Sequence, residues 1–259
     1  MGVLDLLILI FNGLYSSFAT YIRIDASPNK IMCFINKFVG GFMNSVDITY
    51  ILCANLLAFN RFMVICFPTV SNRIFSLKNS NRILFFCTVH NLVLFIGYLM
   101  PGLNFIYSIK TFSWDYDTND ISSGASQIES IYDAAHTTGM TFWYTAIFVL
   151  LKLKSKRVSL IRINRHRNRE MKVLLQAVIV SSMIIVTEAL FFIVPNDPQV
   201  KWPRFISNML WLTCSGINAF IYLGFNSTLR RKALRVMKLK KITMVKALFT
   251  IGHYGSTRS

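Results

Sequence analysis

Four ionisable side chains stand inside long apolar stretches of this sequence: Asp5, Asp47, Arg61 and Glu188. A charged side chain at the centre of a lipid bilayer costs roughly 2.5–3.5 kcal/mol on insertion scales, so each of them requires a physical reason. Carboxylates at such a depth suit the binding of cations or hydrogen-bond donors. A guanidinium at the edge of an apolar stretch either reaches the membrane interface or is held by a neighbouring helix.

Asp47 and Glu188 are the candidates for ligand binding. Asp47 precedes Arg61 by fourteen residues on one predicted helix, which corresponds to about 21 Å along the axis. Glu188 reaches a similar depth, and neither acid has a Lys or Arg nearby in its own segment. We expect them to face a cavity or each other, and such a cavity favours cationic or hydrogen-bond-donating ligands. The alternative is a pair of buried carboxyl groups that stay protonated.

The sequence contains no spacing that is typical of catalysis or of a metal site. His90 and His136 lie far apart and lack the spacing of metal ligands or of a nucleophile with its base. Each is expected to pack between helices or at the outer rim. We therefore expect neither an enzyme nor a bound cofactor.

The apolar stretches that hold these residues have the length of membrane-spanning helices. The chain has 259 residues, of which 54% are hydrophobic, and six segments approach the roughly 20 apolar residues that cross a bilayer. They cover residues 3–21, 38–61, 83–107, 132–153, 173–194 and 205–225. Each is predicted to be an α-helix, because backbone groups in hydrocarbon must be satisfied within their own segment. The sequence thus predicts an all-α membrane protein, with a helical bundle over residues 1–225 and a cytoplasmic amphipathic helix and basic tail over residues 226–259. The alternative for the last segment is a disordered basic tail.

The distribution of charge orients this bundle. The net charge is +17, and the basic residues collect in the segments after the second, fourth and sixth predicted helices. These segments share one side of a six-span topology, and the acidic residues collect on the other, which is the positive-inside pattern. The N-terminus and the basic tail are therefore predicted to be cytoplasmic, and the charge is explained without nucleic acid. The linker after the fourth helix, with Lys156, Arg157, Arg165, Arg167 and Arg169, either meets anionic lipid or docks an acidic partner.

The longest outer connection, between the third and fourth predicted helices, is polar and acidic. It contains no cysteine between residues 108 and 131. We expect it to be tethered by packing alone, because no disulfide can hold it.

Two motifs, NRFMVICFP and VLDLLILI, stand at the end of the second predicted helix and within the first. NRFMVICFP, in which Pro68 follows Arg61 by seven residues, resembles the inner end of the third helix of rhodopsin-like G-protein-coupled receptors, with Asn60 in place of that family's acid. VLDLLILI resembles the second helix, with Asp5 as its buried acid.

Two further motifs follow in the family's order. NAFIY resembles the seventh helix, with Asn218 and Tyr222 in register and Ala219 in place of proline. FNSTLRRKALRVM resembles the amphipathic eighth helix. The sequence is most similar to the nematode serpentine chemoreceptors of class X.

This resemblance implies a chemosensory receptor that binds a small environmental ligand from outside and activates a heterotrimeric G protein inside. It implies an integral protein of the plasma membrane, in a sensory cilium if the protein is a chemoreceptor. The implied switch residues are Asp5, Arg61, Asn218 and Tyr222. The implied G-protein contacts are Arg61, Lys156, Arg157, Arg165, Arg167 and Arg169.

The sequence departs from the family at three places. It begins almost at the second helix, without a counterpart of the first. The loop cysteine of the family's disulfide is absent, and Ser122 or Ser123 stands near its expected position. Asn60 cannot form an ion pair with Arg61, which predicts a higher basal activity. Two other functions stay open: a transporter or channel-like membrane protein, for which intramembrane carboxylates are equally natural, and a truncated, non-signalling receptor fragment.

Overall fold

The computed structural model describes residues 2–24, 29–155, 164–194, 201–225, 231–232 and 235. The first helical segment consists of α1 (Gly2–Ile8), a π-helical stretch (Leu9–Tyr15) and α2 (Ser16–Tyr21). It is followed by α3 (Lys30–Cys66), α4 (Pro68–Ile74) and α5 (Leu77–Tyr98). Two strands, β1 (Phe105–Ser108) and β2 (Ser113–Tyr116), precede α6 (Asp120–Ser155), α7 (Asn164–Ile193) and α8 (Lys201–Phe225).

Each of the six predicted segments contains a described helix, and in the described part of the chain three helical segments are long and apolar enough to cross a membrane. These are Gly2–Tyr21, Lys30–Cys66 and Leu77–Tyr98, with a shorter apolar stretch, Val178–Phe191, inside α7. On α5, Phe85, Phe86 and Val93 are each more than 60% exposed. A continuous apolar surface of this kind is rare on soluble proteins. The predicted fold class, an all-α membrane bundle, is confirmed.

Local signals set the starts of three helices. The Asn29 side chain accepts a hydrogen bond from the backbone N–H of Ile31 at 2.9 Å and so caps α3. Pro68 opens α4, at a position where its missing N–H is not needed. Asn119 immediately precedes α6, and its side chain accepts a hydrogen bond from the backbone N–H of Ser122 at 2.8 Å.

α3 is the central helix of the unit formed by Met1–Asn218. It packs against α1, α5, α6 and α7. Met43, Ile51 and Ala58 of α3 are at most 1% exposed, and so are Met140 and Ile147 of α6. These buried apolar residues form the packed contact between α3 and α6.

The third predicted helix is shorter than expected, which corrects the boundary at residue 107. α5 ends at Tyr98, and Phe105–Tyr107 belongs to β1. The chain turns at Pro101 and Gly102, and Gly102 has a φ of +87° that an L side chain rarely adopts. The two strands pair antiparallel, with Tyr107 opposite Trp114. We refer to β1, β2 and the turn between them as the hairpin.

The hairpin is held by specific hydrogen bonds, so the expectation of packing alone is wrong. The Asn36 side chain of α3 donates to the carbonyl of Tyr107 at 3.0 Å and accepts from its N–H at 3.2 Å. The indole N–H of Trp114 donates to Asn12 at 3.1 Å and to Ser16 at 3.0 Å. Asn12 lies in the π-helical stretch, which therefore helps to orient the hairpin.

α6 begins at Asp120, twelve residues before the predicted start at residue 132. Much of the polar connection is consequently helical. Ser122 is fully buried, and its hydroxyl donates to the carbonyl of Gly102 at 3.0 Å and accepts from the N–H of Asn104 at 2.9 Å. These bonds tie the start of α6 to the loop between α5 and β1.

Cys33 is a free, exposed thiol.

The second compact unit is Ala219–Ser259. Its described part consists of the last residues of α8 and the exposed residues Arg231, Lys232 and Arg235. Most of the predicted amphipathic helix and basic tail, residues 226–259, lies outside the described residues.

Candidate functional site

A cavity of about 330 Å³ lies next to the hairpin, between α3, α6, α7 and α8. Its volume is at the lower end of the range for small-molecule sites. Aromatic side chains form much of its wall. They are Phe105, Trp114 and Tyr116 of the hairpin, Phe191 of α7 and Trp211 of α8. Aromatic faces attract cations, so this wall is compatible with a positively charged guest.

Four carboxylates from three helices reach this cavity. Asp47 comes from α3, Glu129 and Asp133 come from α6, and Glu188 comes from α7. Neighbouring buried carboxylates repel each other unless hydrogen-bond donors or cations compensate their negative charge. The partners of each acid therefore decide what the cavity can bind.

Glu129 is the most completely satisfied of the four. Its Oε2 accepts hydrogen bonds from the Asn44 amide at 2.8 Å, from the Tyr98 hydroxyl at 3.2 Å and from the Tyr116 hydroxyl. These donors come from α3, α5 and β2. Burial, followed by the negative charge of Glu129, raises the pKa of Tyr116 above its ordinary value, so this hydroxyl remains a donor.

Asp47 has one strong donor. The indole N–H of Trp211 donates to its Oδ1 at 2.8 Å and connects α3 to α8 across the cavity. The second oxygen of Asp47 receives no such bond from the described residues. Asp47 can therefore accept a further donor from a ligand.

Asp133 is buried without compensation. It is 7% exposed, and its Oδ1 has no hydrogen-bond partner among the described residues. Leaving a buried acceptor unsatisfied costs about 1–3 kcal/mol, and more for a charged group. No donor from the described residues reaches Glu188 either. These two acids are the unsatisfied part of the cavity.

An ion pair forms part of the cavity wall beside the hairpin. Arg204 of α8 donates to Asp115 of β2 at 2.8 Å, and both side chains are largely buried. Burial raises the pKa of Asp115 to about 6, although the charge of Arg204 acts in the opposite direction. The Asn208 side chain donates to the carbonyl of Phe112 at 3.1 Å and adds a second link between α8 and the hairpin.

The structure brings the two predicted ligand-binding residues, Asp47 and Glu188, to the same cavity. The sequence analysis missed Glu129 and Asp133, which it assigned to a loop and to the edge of a helix. Their spacing contained a usable signal, because residues four apart lie on one helical face. Ser126 and Ser130 follow the same spacing and also line the cavity.

The predicted switch and partner residues are described unevenly. Asp5 is buried on α1. Asn218 and Tyr222 lie on α8, and their side chains are outside the described part. Arg165, Arg167 and Arg169 lie on the first turns of α7, also without described side chains. Lys156 and Arg157 fall in the undescribed segment 156–163.

Arg61 lies near the end of α3 that is remote from the hairpin. It is half-buried, and within the described ranges its Nε has no hydrogen-bond partner. Its neighbours Phe59 and Phe62 both contact the ring of Trp143 on α6, with centroids 5.0 and 5.1 Å away. This part of α3 is therefore packed against α6, and the Arg61 guanidinium retains an unused donor toward the described residues.

The two histidines are packed between helices, as predicted. His90 lies 3.3 Å from the hydroxyl of Thr49, and His136 lies 2.8 Å from the amide of Asn55. Within the described residues, no group of three or more His, Cys, Asp or Glu side chains is arranged to hold a metal ion.

A comparison with protein families decides the class of this protein. The model of the serpentine type 7TM GPCR chemoreceptor Srx family matches residues 9–226, which is most of the chain. The chain belongs to this family. No curated protein matches the sequence. As an Srx chemoreceptor it is a member of a receptor family rather than of an enzyme family, and the resemblance to nematode class X receptors is confirmed.

Proposed function

We propose that this Srx chemoreceptor binds a small cationic ligand in the cavity beside the hairpin, with Asp47 and Glu188 as direct contacts. The ligand enters from outside the cell, and the receptor then activates a heterotrimeric G protein at the opposite end of the bundle. The observation that supports this is the meeting of Asp47 and Glu188 at one cavity. A ligand there touches α3, α6, α7 and α8 together, so its binding energy can favour one arrangement of these helices.

Arg61 is proposed to be the residue that transmits this change. Its unused Nε, at the far end of α3, is free to exchange neighbours when the helices shift. Asp5, Asn218 and Tyr222 are proposed to rearrange with it. Lys156, Arg157, Arg165, Arg167 and Arg169 complete the proposed G-protein contact, with the basic tail in the cytoplasm and the receptor in the plasma membrane of a sensory cilium.

The test is ligand-stimulated nucleotide exchange on a heterotrimeric G protein by the full chain reconstituted in lipid vesicles, over a library of small amines. Asp47→Asn and Glu188→Gln are expected to shift the response to roughly tenfold higher ligand concentration or more, because each removes a charge-assisted hydrogen bond. Asp120→Asn is the control, since this exposed acid begins α6 outside the cavity. Equal responses of all three variants would contradict the proposed ligand site.

Arg61→Ala is expected to reduce ligand-stimulated nucleotide exchange roughly tenfold or more. Typical allosteric couplings correspond to about 5- to 150-fold. Ligand affinity measured without G protein should change much less. Lys30→Ala is the matched control, because Lys30 is an exposed base at the other end of α3. An exchange rate that Arg61→Ala leaves intact would remove Arg61 from the mechanism.

Asn60→Asp is expected to lower ligand-free nucleotide exchange. An aspartate beside Arg61 restrains the guanidinium by an ion pair that the neutral Asn60 cannot form. The measurement is basal exchange at equal receptor density, with Asn60→Ala as the neutral control that should keep the basal rate. Unchanged or faster exchange by Asn60→Asp counts against this restraint.

The orientation is testable independently. In sealed right-side-out vesicles, a protease added outside should spare the linker at residues 156–169 and cleave it once the membrane is permeabilised. Cleavage before permeabilisation would invert the proposed topology.

A further inference from the structure

Acidic side chains outnumber basic ones in the described lining of the cavity. Five carboxylates among the described residues reach it, the four of the site together with Asp115. Arg204 is the one basic side chain in the described lining, and it is engaged by Asp115 at 2.8 Å. The four remaining carboxylates therefore have no protein cation in the described wall.

Hydrogen bonds compensate part of this excess. Glu129 accepts from three donors, and Asp47 accepts from Trp211. A carboxylate with several fixed donors is stable in its charged form without a counter-ion. A ligand with one ammonium group, bound at Asp47 and Glu188 as proposed, leaves Asp133 without any partner.

Asp133 lies more than nine-tenths buried on the wall of the same cavity, and no side chain or backbone group in the described part of the chain bonds to its Oδ1. An unpaired buried carboxylate next to an open volume is a site for a second positive charge. The described acids offer no set that coordinates a metal ion. The aromatic wall of Trp114, Phe191 and Trp211 suits methylene groups and organic cations.

We propose that the ligand is a small organic dication, a diamine, whose first ammonium binds at Asp47 and Glu188 and whose second ammonium binds at Asp133. This rests on the proposed function for the first ammonium and adds Asp133 as a separate second subsite. The spacing of the two ammonium groups selects among diamines of different length. Neutral molecules and monoamines should bind more weakly than a diamine of equal size.

The test compares pairs of probes of equal length on the full chain in lipid nanodiscs by calorimetry. The α,ω-diaminoalkanes with three to six carbons are matched with the corresponding n-alkylamines. The best diamine is expected to bind at least roughly tenfold more tightly than its monoamine, since one charge-assisted hydrogen bond is worth about that factor or more. Asp133→Asn should bring this ratio near one, because it weakens the binding of the diamine much more than that of the monoamine.

Asp120→Asn should preserve the ratio, and the thermal unfolding of Asp133→Asn should show that this variant is folded. The second subsite is overturned if Asp133→Asn leaves the ratio of diamine to monoamine affinity unchanged. An equal loss of affinity for both probes overturns it as well. Displacement of the diamine by equimolar Ca²⁺ or Mg²⁺ overturns an organic dication.

The two proposals fail separately. If monoamines stimulate nucleotide exchange as strongly as diamines, the receptor function stands and the dication is wrong. If diamines bind with the expected ratio but no G protein responds, the dication stands and the signalling function is wrong.

Discussion

Gly40→Ala is expected to lower the free energy of unfolding by about 3 kcal/mol, at the upper end of the range for overpacking. A Cβ at Gly40 would lie 2.0 Å from the carbonyl oxygen of Phe105 and 2.9 Å from the ring of Trp114. The first of these atoms belongs to the backbone of β1, so the clash cannot be relieved by a rotamer change. The hairpin must move away from α3.

The measurement is thermal unfolding of the purified receptor, where about 3 kcal/mol corresponds to roughly 6–12 °C for a chain of this size. Ligand affinity should fall as well, because the hairpin forms part of the cavity wall. Gly97→Ala on α5 is the matched control, since its Cβ meets no atom within 4 Å. There alanine should be neutral or slightly stabilising, as is usual in a helix. Similar melting temperatures for the two variants would show that α3 and the hairpin are not in close contact.

Arg204→Ala is expected to destabilise the receptor by about 3–5 kcal/mol, because it leaves Asp115 buried without its counter-charge. The Arg204 and Asp115 side chains are 7% and 15% exposed, so water cannot replace the lost partner fully. The double variant Asp115→Asn with Arg204→Gln should recover most of this loss, since two neutral amides can bond to each other. Lys110→Ala, an exposed base in the hairpin turn, is the control.

The effect of Arg204→Ala should depend on pH. With its pKa near 6, Asp115 is ionised and paired above that pH and protonated below it. The penalty of Arg204→Ala is therefore largest at about pH 8 and shrinks as the pH falls through 6.

In the wild type, the contribution of Asp115 alone to the free energy of unfolding changes with pH in the opposite direction. Its pKa is higher in the folded than in the unfolded chain, so its contribution to stability is fully present below the unfolded value and is lost as the pH rises through 6. Unfolding measured at pH 5 and pH 8 separates the two effects, and an equal penalty at both values would contradict a titrating ion pair.

The helices and two of the four cavity acids were predictable from the sequence. Asp47 and Glu188 stand out because each interrupts an apolar stretch, where an isolated charge is costly. Arg61 stands out for the same reason near the end of α3. These signals are local, so no tertiary information was needed to find them.

The hairpin and the acids of α6 could not be read in the same way. Glu129 and Asp133 lie in a polar segment, where an acid has no apolar context to make it conspicuous. The hairpin depends on contacts across the chain, such as Trp114 with Asn12, which are 102 residues apart. The aromatic and β-branched residues at 105–116 are typical of strands, but their position depends on distant partners such as Asn36 of α3, which bonds to Tyr107.

The position of the indole rings gives this receptor a built-in optical probe. Two of its four tryptophans, Trp114 and Trp211, line the cavity, and the N–H of Trp211 is bonded to a carboxylate that ligand binding would neutralise. Indole emission depends on the local electric field and on hydrogen bonding at its nitrogen. Occupancy can therefore be followed by intrinsic fluorescence in unlabelled protein, with Trp211→Phe to assign the signal.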